Sequence, residues 1–560
     1  MKYMKINWKI ILILALTSVL RFWNLGNVPP HLTPDEASLG YNAYSILKTG
    51  KDEYGTFLPT VFKSFGDFKP GFYVYLTVPF VAIFGLNEWS VRLPSAVSGV
   101  ITVWLLYLIV RKLFTEHRSL ATVAAFVAAT NPWLIYFSRG AWEVNLALCL
   151  TLAGIYFLLR SFDNQRYFVL CVLSFAITLV TYQGAKLSTG IVVLILLILY
   201  WKEILKFGSK SLALGLVAGL VISLPIFLSF FTGQTGRLNV FSVFSYPRPK
   251  EYLQAFLDEG GEKVGDINYY LFHTETYNFA RGVLGRYFNH FSDRFLFFEG
   301  DWANPRHTAP NHGMLLLSDI VLLVLGFVAL VRYGAKSLSA GRQGVWFIWL
   351  WLLLAPLPSA LSRDQVHAVR ALNESVPMII LLAFGLWYLI GLVMRSRMRV
   401  FLCAVVCMLY VGSILYFLDT YFIHLPAHDS KLWEYGYKQI VQTVTPIQKA
   451  YKAVKVQQSF AQPYIYFLFF QKYNPAKYQK QAKLVASEYK NDVGYVTKID
   501  NIEFVPIDWS VVRGERGTLF VADPIRIPPE DSKDENQFSL IREIKYLNNR
   551  DIAFRIIEVK

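Results

Sequence analysis

Twelve apolar runs constrain this chain more than any other feature. They lie near residues 10–25, 70–86, 92–110, 119–137, 144–159, 167–182, 186–201, 211–231, 313–331, 344–361, 374–394 and 400–418. As helix, most of them are about long enough to cross a hydrocarbon layer of about 30 Å. Only helices or closed barrels satisfy their backbone groups in lipid, so the runs predict a polytopic α-helical membrane protein. Composition agrees: 17% of residues are charged, against about 25% in soluble domains, and mean hydropathy is +0.37.

Short basic loops belong on the cytoplasmic side. If the N-terminus is inside and all twelve runs span, Arg111, Lys112, Arg118, Lys202, Lys206, Lys210, Arg395, Arg397 and Arg399 face outward. Removing the run 70–86 moves all of them inside, together with Arg160, Arg166, Arg332, Lys336 and Arg342. That run opens at Lys69-Pro70 and contains Pro79, so it reads as a helix lying against the outer leaflet. About eleven spans remain. The chain is then expected in the plasma (inner) membrane, with its N-terminus cytoplasmic and segments 25–91 and 232–312 outside. The turns 138–143 and 183–185, the loop 362–373 and everything after about 420 are also expected outside. The net charge of +16 follows from this loop pattern, and no nucleic-acid partner is expected. The first run follows Lys2, Lys5 and Lys9, lacks a small-residue cleavage site and ends in Arg21, Phe22 and Trp23, as a retained signal anchor does. Cys149, Cys171, Cys403 and Cys407 all sit in apolar runs, away from any exterior disulfide or zinc spacing.

Two domains are expected: a membrane domain over 1–422 and a small extracytoplasmic α/β domain over 423–560. In the second, 431–445 and 475–489 read as helical, and 464–470, 502–507, 517–522 and 552–559 as strands.

Polar residues cluster at the outer helix ends. Thr33-Pro34-Asp35-Glu36 reads as a helix start with acids in its first turn, and Ala37 to Leu47 suit an amphipathic surface helix. A lysine at Lys69 suits either a phosphate or an interface anchor. The outer turn Ser138-Arg139-Gly140-Ala141-Trp142-Glu143-Val144-Asn145 sets charges at the membrane edge, where they are costly and often functional; mutual pairing of Arg139 and Glu143 is the plainer alternative. Tyr182 and Lys186 flank a very short turn. The long loop 232–312 ends in Glu299-Gly300-Asp301-Trp302-Ala303-Asn304-Pro305-Arg306-His307, suited to sugar binding or to docking the C-terminal domain. Ser362 to Arg370 gathers His367 and Arg370 at a helix mouth, suited to a phosphate group or to lipid headgroups. Walker A, dinucleotide-binding and HExxH patterns find no sensible context.

In order, these features resemble the GT-C superfamily, in particular its bacterial branch related to protein O-mannosyltransferases and aminoarabinose transferases. The resemblance rests on the signal anchor, Asp35-Glu36, Lys69-Pro70, Arg92-Leu93-Pro94-Ser95-Ala96, Ser138-Arg139 with a following acid, and a soluble tail, over roughly residues 8–420. It implies an inverting glycosyltransferase that takes a sugar from a polyprenyl-phosphate donor. It implies Asp35 as base or acceptor-positioning group with Glu36 beside it, Lys69 on the donor phosphate, and Glu143 near the acceptor or a metal; many relatives carry Asp there in a slightly different register. Arg139, Lys186, His367 and Arg370 join the expected phosphate binders, and Asn145, Tyr182, Asp301, Trp302, Arg306 and His307 the expected substrate contacts. A divalent cation, Mg or Mn, is conceivable at Asp35 and Glu143. A lipid-linked sugar transporter or flippase is the alternative, but it favours charges along a midplane path, whereas these sit at one face. A non-catalytic scaffold leaves the ordered motifs unexplained.

Overall fold

The structure, a computed structural model, describes residues 8–229, 231, 241–337, 339–458, 462–486 and 493–560. Each of the twelve apolar runs is helical over most of its described length, and the chain is a multi-pass membrane protein. Among the described residues, seven helices are long and apolar enough to span: Glu88–Leu113, Glu143–Ser161, Ala185–Ile204, Ser209–Ser229, Gly341–Ala360, Leu372–Arg395 and Arg399–His428. The pair Arg118–Thr130 and Pro132–Ser138, bent by 57°, makes an eighth if it counts as one span. The bend falls at Asn131-Pro132. Proline starts the second helix, and the Asn131 side chain accepts from the Leu134 amide at 3.0 Å.

The sequence reading counted about eleven spans. The other three runs are also helices. Trp8–Phe22 and Tyr167–Leu179, of 15 and 13 residues, each reach only about 20–23 Å. Asp319–Lys336 carries Asp319, Arg332 and Lys336, more charge than a plain span. The run 70–86 forms Phe72–Phe84, 13 residues with Pro79 inside, about 20 Å long.

Close approach of two helix backbones fixes part of the bundle. Gly326 and Gly385 face one another across Asp319–Lys336 and Ser375–Arg395. A Cβ on Gly326 would lie 2.1 Å from the Leu381 carbonyl, and one on Gly385 2.0 Å from that of Leu322. Small residues at such crossings let backbones touch.

Beyond the last membrane helix lies a six-stranded mixed sheet. Its order is Lys498–Ile499, Ile502–Val505, Ala453–Gln457, Thr518–Ala522, Ile552–Val559, Phe538–Lys545. The central strand Ala453–Gln457 is parallel to both neighbours, and the outer pairings are antiparallel. Two expectations are corrected here. Segment 464–470 is not a strand; it lies in the helix Pro463–Phe470. An eight-residue run that is buried all round has no periodicity to separate the two states, and Pro463 starts the helix. The helical reading of 475–489 holds only for Pro475–Gln481; Leu484–Val485 is instead a short strand paired with Tyr495–Val496, and 487–489 lie outside the described residues.

The helix Pro34–Thr49 starts with the expected cap: Thr33 Oγ accepts from the Glu36 amide at 3.2 Å, and Glu36 Oε2 from the Thr33 amide at 3.0 Å. It is not an exposed surface helix, however. Ala37 to Ala43 are all buried, and a Cβ at Gly40 would meet Val91 at 2.5 Å on one side and Phe469 at 2.6 Å on the other. Aromatic residues of the C-terminal segment cover the face that the sequence reading gave to lipid. One apolar cluster runs from Leu32, Tyr41, Tyr73 and Val91 into Tyr437, Tyr464, Phe467 and Val521, joining the helices Pro34–Thr49 and Phe72–Phe84 to the sheet.

Candidate functional site

Lys69 sits on a two-stranded hairpin, Val61–Ser64 with Asp67–Pro70. Its turn uses Phe65 and Gly66, both at positive φ (53° and 84°), as a tight hairpin requires. The hairpin is tied to the turn after Tyr167–Leu179: Gln183 Nε2 donates to the Phe68 carbonyl at 2.9 Å, and the Phe72 amide to the Val180 carbonyl at 3.0 Å. Lys186 Nζ donates to Gln183 Oε1 at 2.7 Å, so the two lysines share one rigid support. The Lys69 ammonium pairs directly with the Asp35 carboxylate. Burial pulls its pKa down, but Asp35, Glu143 and Asp67 outweigh that and hold it above the usual lysine value.

These groups open onto a cavity of about 1390 Å³. Asp35, Lys69, Glu143, Tyr182, Lys186, Arg306, His307, His367 and Arg370 all line it, although they come from segments more than 330 residues apart in sequence. One wall is apolar, with Leu187, Phe241, Phe244, Pro358, Leu361 and Val369. Arg370 lies over the Phe241 ring at 4.7 Å and donates to Asp364 at 3.0 Å. Burial, followed by the Arg370, His307 and His290 charges, holds the His367 imidazole well below its ordinary pKa. The cavity therefore sets cations, carboxylates and a greasy wall around one space. That arrangement suits an amphiphile with an anionic head.

Four expected contacts are placed elsewhere. Arg139 does not line the cavity, and it does not pair with Glu143. Its guanidinium is fully buried and donates to the carbonyls of Leu20, Arg21, Trp23 and Val28 at 2.6–3.1 Å. It closes the C-terminal end of the first helix, where carbonyls lack partners. Asn145 is buried against the Ser95 carbonyl at 2.8 Å. Trp302 stacks under Arg294, 4.4 Å from ring centre to guanidinium. Asp301 is fully buried behind the cavity wall, bonded to His307 Nδ1 at 2.9 Å and the Ala368 amide at 2.7 Å. Glu36 borders the cavity, but both its oxygens are already engaged. They accept from Arg92, from the Ala141 amide at 2.8 Å and from the Thr33 amide, so it acts as a scaffold carboxylate. A cation at Asp35 and Glu143 competes with the Lys69 ammonium for the same place.

The C-terminal segment supplies residues that the sequence reading missed. Lys431, Glu434, Tyr435, Tyr437, Tyr546 and Phe554 also line the cavity. Glu434 accepts from Tyr466 Oη at 2.7 Å and lies 3.7 Å from Arg306. Burial raises its pKa to about 7, against the lowering effects of Tyr466 and Arg306. The available signal was the aromatic and charged stretch Lys431 to Tyr437, placed just where the last membrane helix ends.

Residues 69–228 match the family model described as dolichyl-phosphate-mannose-protein mannosyltransferase. The chain is 30% identical over 181 residues to the Bacillus subtilis (strain 168) protein described as "Putative mannosyltransferase YycA", covering 31% of this chain and 25% of that protein. It is 30% identical over 130 residues to that organism's "Putative mannosyltransferase YkcB", covering 23% and 17%. The matches thus span a quarter or less of these relatives. Among solved structures, the chain resembles ArnT from Cupriavidus metallidurans in the apo state, with TM-score 0.53, 14% identity, and coverage of 98% of this chain and 97% of that one. It also resembles ArnT bound to undecaprenyl phosphate, with TM-score 0.54, 14% identity, and coverage of 99% and 98%. The chain therefore shares the fold of ArnT over nearly its whole length.

Proposed function

We propose that the protein is an inverting glycosyltransferase. It moves a sugar from a polyprenyl-phosphate donor to an acceptor, a protein, lipid or cell-envelope glycan, on the outer face of the plasma membrane. The carrying observation is the cavity, which joins the Asp35–Lys69 pair, Lys186 and Arg370 to an apolar wall. The ArnT fold, seen elsewhere with undecaprenyl phosphate, supports the same reading.

The chemistry follows from the charges. An acceptor oxygen or nitrogen attacks the anomeric carbon, the bond from that carbon to the phosphate oxygen breaks, and the lipid phosphate leaves. Negative charge grows on the phosphate in the transition state, and preorganised cations stabilise it there. Lys69, Lys186 and Arg370 are placed for that role; Arg139 is not, because four carbonyls hold it. In the absence of donor, Asp35 neutralises Lys69. A bound phosphate shares the ammonium and releases the carboxylate to take the acceptor proton. Glu143, beside Lys69, keeps the lysine charged and helps place the acceptor. The lipid lies along Phe241, Phe244 and Leu361.

The test uses the purified protein in lipid nanodiscs with radiolabelled synthetic polyprenyl-phosphate sugars and a panel of acceptors. Wild type is expected to transfer sugar, or slowly hydrolyse the donor. Asp35→Asn is expected to lose at least 10²-fold in rate while retaining donor binding. Near-normal transfer by the variant removes Asp35 from the mechanism. Donor binding without turnover in wild type favours a transporter.

A further inference from the structure

We infer that Asp301, His307 and His367 form a binding site for one divalent transition-metal ion, of zinc type, in the wall of the cavity. The inference stands apart from the transferase reading, because it needs only these side chains and their surroundings. One ligand atom from each of the three lies within 4.8 Å of the others. Asp301 Oδ2 and His307 Nδ1 are 2.9 Å apart. Two ligands about 2.0–2.1 Å from a shared zinc ion stand that far apart at close to a right angle. The His307 and His367 rings lie with centres 5.0 Å apart and planes at 40°, and His367, whose Nδ1 accepts from the Arg370 amide at 3.4 Å and whose Nε2 lies 3.9 Å from Asp364, has to turn to complete the set.

The surroundings are built to hold these groups. Asp301 is fully buried, and its Oδ1 is fixed by the Asn304 amide at 3.0 Å and Asn304 Nδ2 at 3.2 Å. Its Oδ2 accepts from the Ala368 amide at 2.7 Å, which ties the end of the long loop to the loop carrying His367. The His367 amide in turn donates to His290 Nε2 at 3.4 Å. Partners of this kind orient ligands around metals. The nearby Arg370 charge opposes a cation, but Asp364 engages it at 3.0 Å. Two imidazoles and one carboxylate favour zinc, cobalt or nickel over magnesium. His307 and His367 both line the cavity, so the remaining coordination position opens toward bound substrate. An ion there clamps the two loops and offers a phosphate or hydroxyl oxygen a further positive partner.

The test takes the full chain with any affinity tag removed, stripped with chelator and exchanged into clean buffer. Zinc chloride binding is followed by calorimetry, and cobalt(II) binding by its visible spectrum. The expected result is one tight site per chain, a cobalt band of nitrogen and oxygen ligation, and a raised melting temperature with zinc. Both His307→Ala and His367→Ala are expected to weaken binding at least 10-fold and lose the band, while His312→Gln, outside the cluster, keeps both. Asp301→Asn is expected to weaken binding as well; should it fail to fold, the two histidine variants decide the matter. A wild type without a stoichiometric site, or binding unchanged in both histidine variants, overturns the site and leaves Asp301 and His307 as a hydrogen-bonded loop anchor.

Discussion

Arg92 and Glu36 hold the region around Asp35 in shape. The guanidinium is fully buried and donates to Glu36, to the carbonyls of Leu25 and Pro29 at 3.0 and 2.9 Å, and to that of His31 at 2.7 Å. Removing one partner of a buried ion pair leaves the other unpaired and costs about 3–5 kcal/mol. Arg92→Met and Glu36→Gln should therefore each lower the melting temperature markedly, whereas Asp35→Asn, with its side chain 62% exposed, should barely move it; thermal unfolding in detergent separates the two classes. Glu53 offers a pH test. It is fully buried between Asn42, at 3.0 Å, and Tyr464, at 3.4 Å, and burial lifts its pKa from 4.5 to about 8. Its folded-state pKa is raised, so the stability it supports is full below the unfolded value and falls as pH rises from about 4.5 to about 8. Melting temperature should drop by several degrees across that window, and Glu53→Gln should flatten the drop.

At the scale of elements, the sequence was informative where burial and charge stay local. Membrane helices announce themselves by apolar runs, but their lengths do not: the run 70–86, set apart as a surface helix, and the run 167–182, counted as a span, each form a helix of 13 residues. Glu36 and Arg139 illustrate the limit. A charged residue at a turn beside a membrane helix reads the same whether it faces a cavity or is taken up by a helix end. Only the packing of Trp8–Phe22 against the turn at 139 decides that Arg139 serves carbonyls. The strand reading of 464–470 failed for a related reason, because a run covered on all sides carries no face. The contact at Gly326 and Gly385 was not legible either, since a glycine in an apolar run gives no sign of its neighbour. It is testable: Gly385→Leu places a side chain against the Leu322 carbonyl, a backbone atom that has no rotamer to retreat into. The variant should lose most monodisperse protein on size-exclusion chromatography, and Gly391→Leu, which has open space around its Cβ position, should not.

At the scale of the molecule, the cavity belongs to neither the membrane helices nor the sheet alone. Sequence reading placed Asp35, Lys69, Glu143, Lys186, His367 and Arg370 at one end of the helices, but it gave the C-terminal segment no part in the site. Nothing in a strand pattern reveals which loop a sheet presses over a cavity. The consequence is an ionisable link across the site. Glu434, from the C-terminal segment, faces Arg306 at 3.7 Å, and its pKa of about 7 lies within the working range of an enzyme. Above that pH the carboxylate holds Arg306 to the C-terminal wall. Below it, Glu434 is neutral, and Arg306 is released toward the cavity and any anionic group bound there. The pH dependence of transfer should therefore show an inflection near 7. Glu434→Gln, which keeps the shape and removes the charge, should abolish that inflection and hold the rate close to the wild-type low-pH value throughout. Tyr466→Phe removes the hydroxyl that stabilises the carboxylate, so the inflection should move to higher pH while the maximal rate stays. An inflection unchanged in both variants assigns the titration to another group and leaves Glu434 as a structural contact between the two halves of the cavity wall.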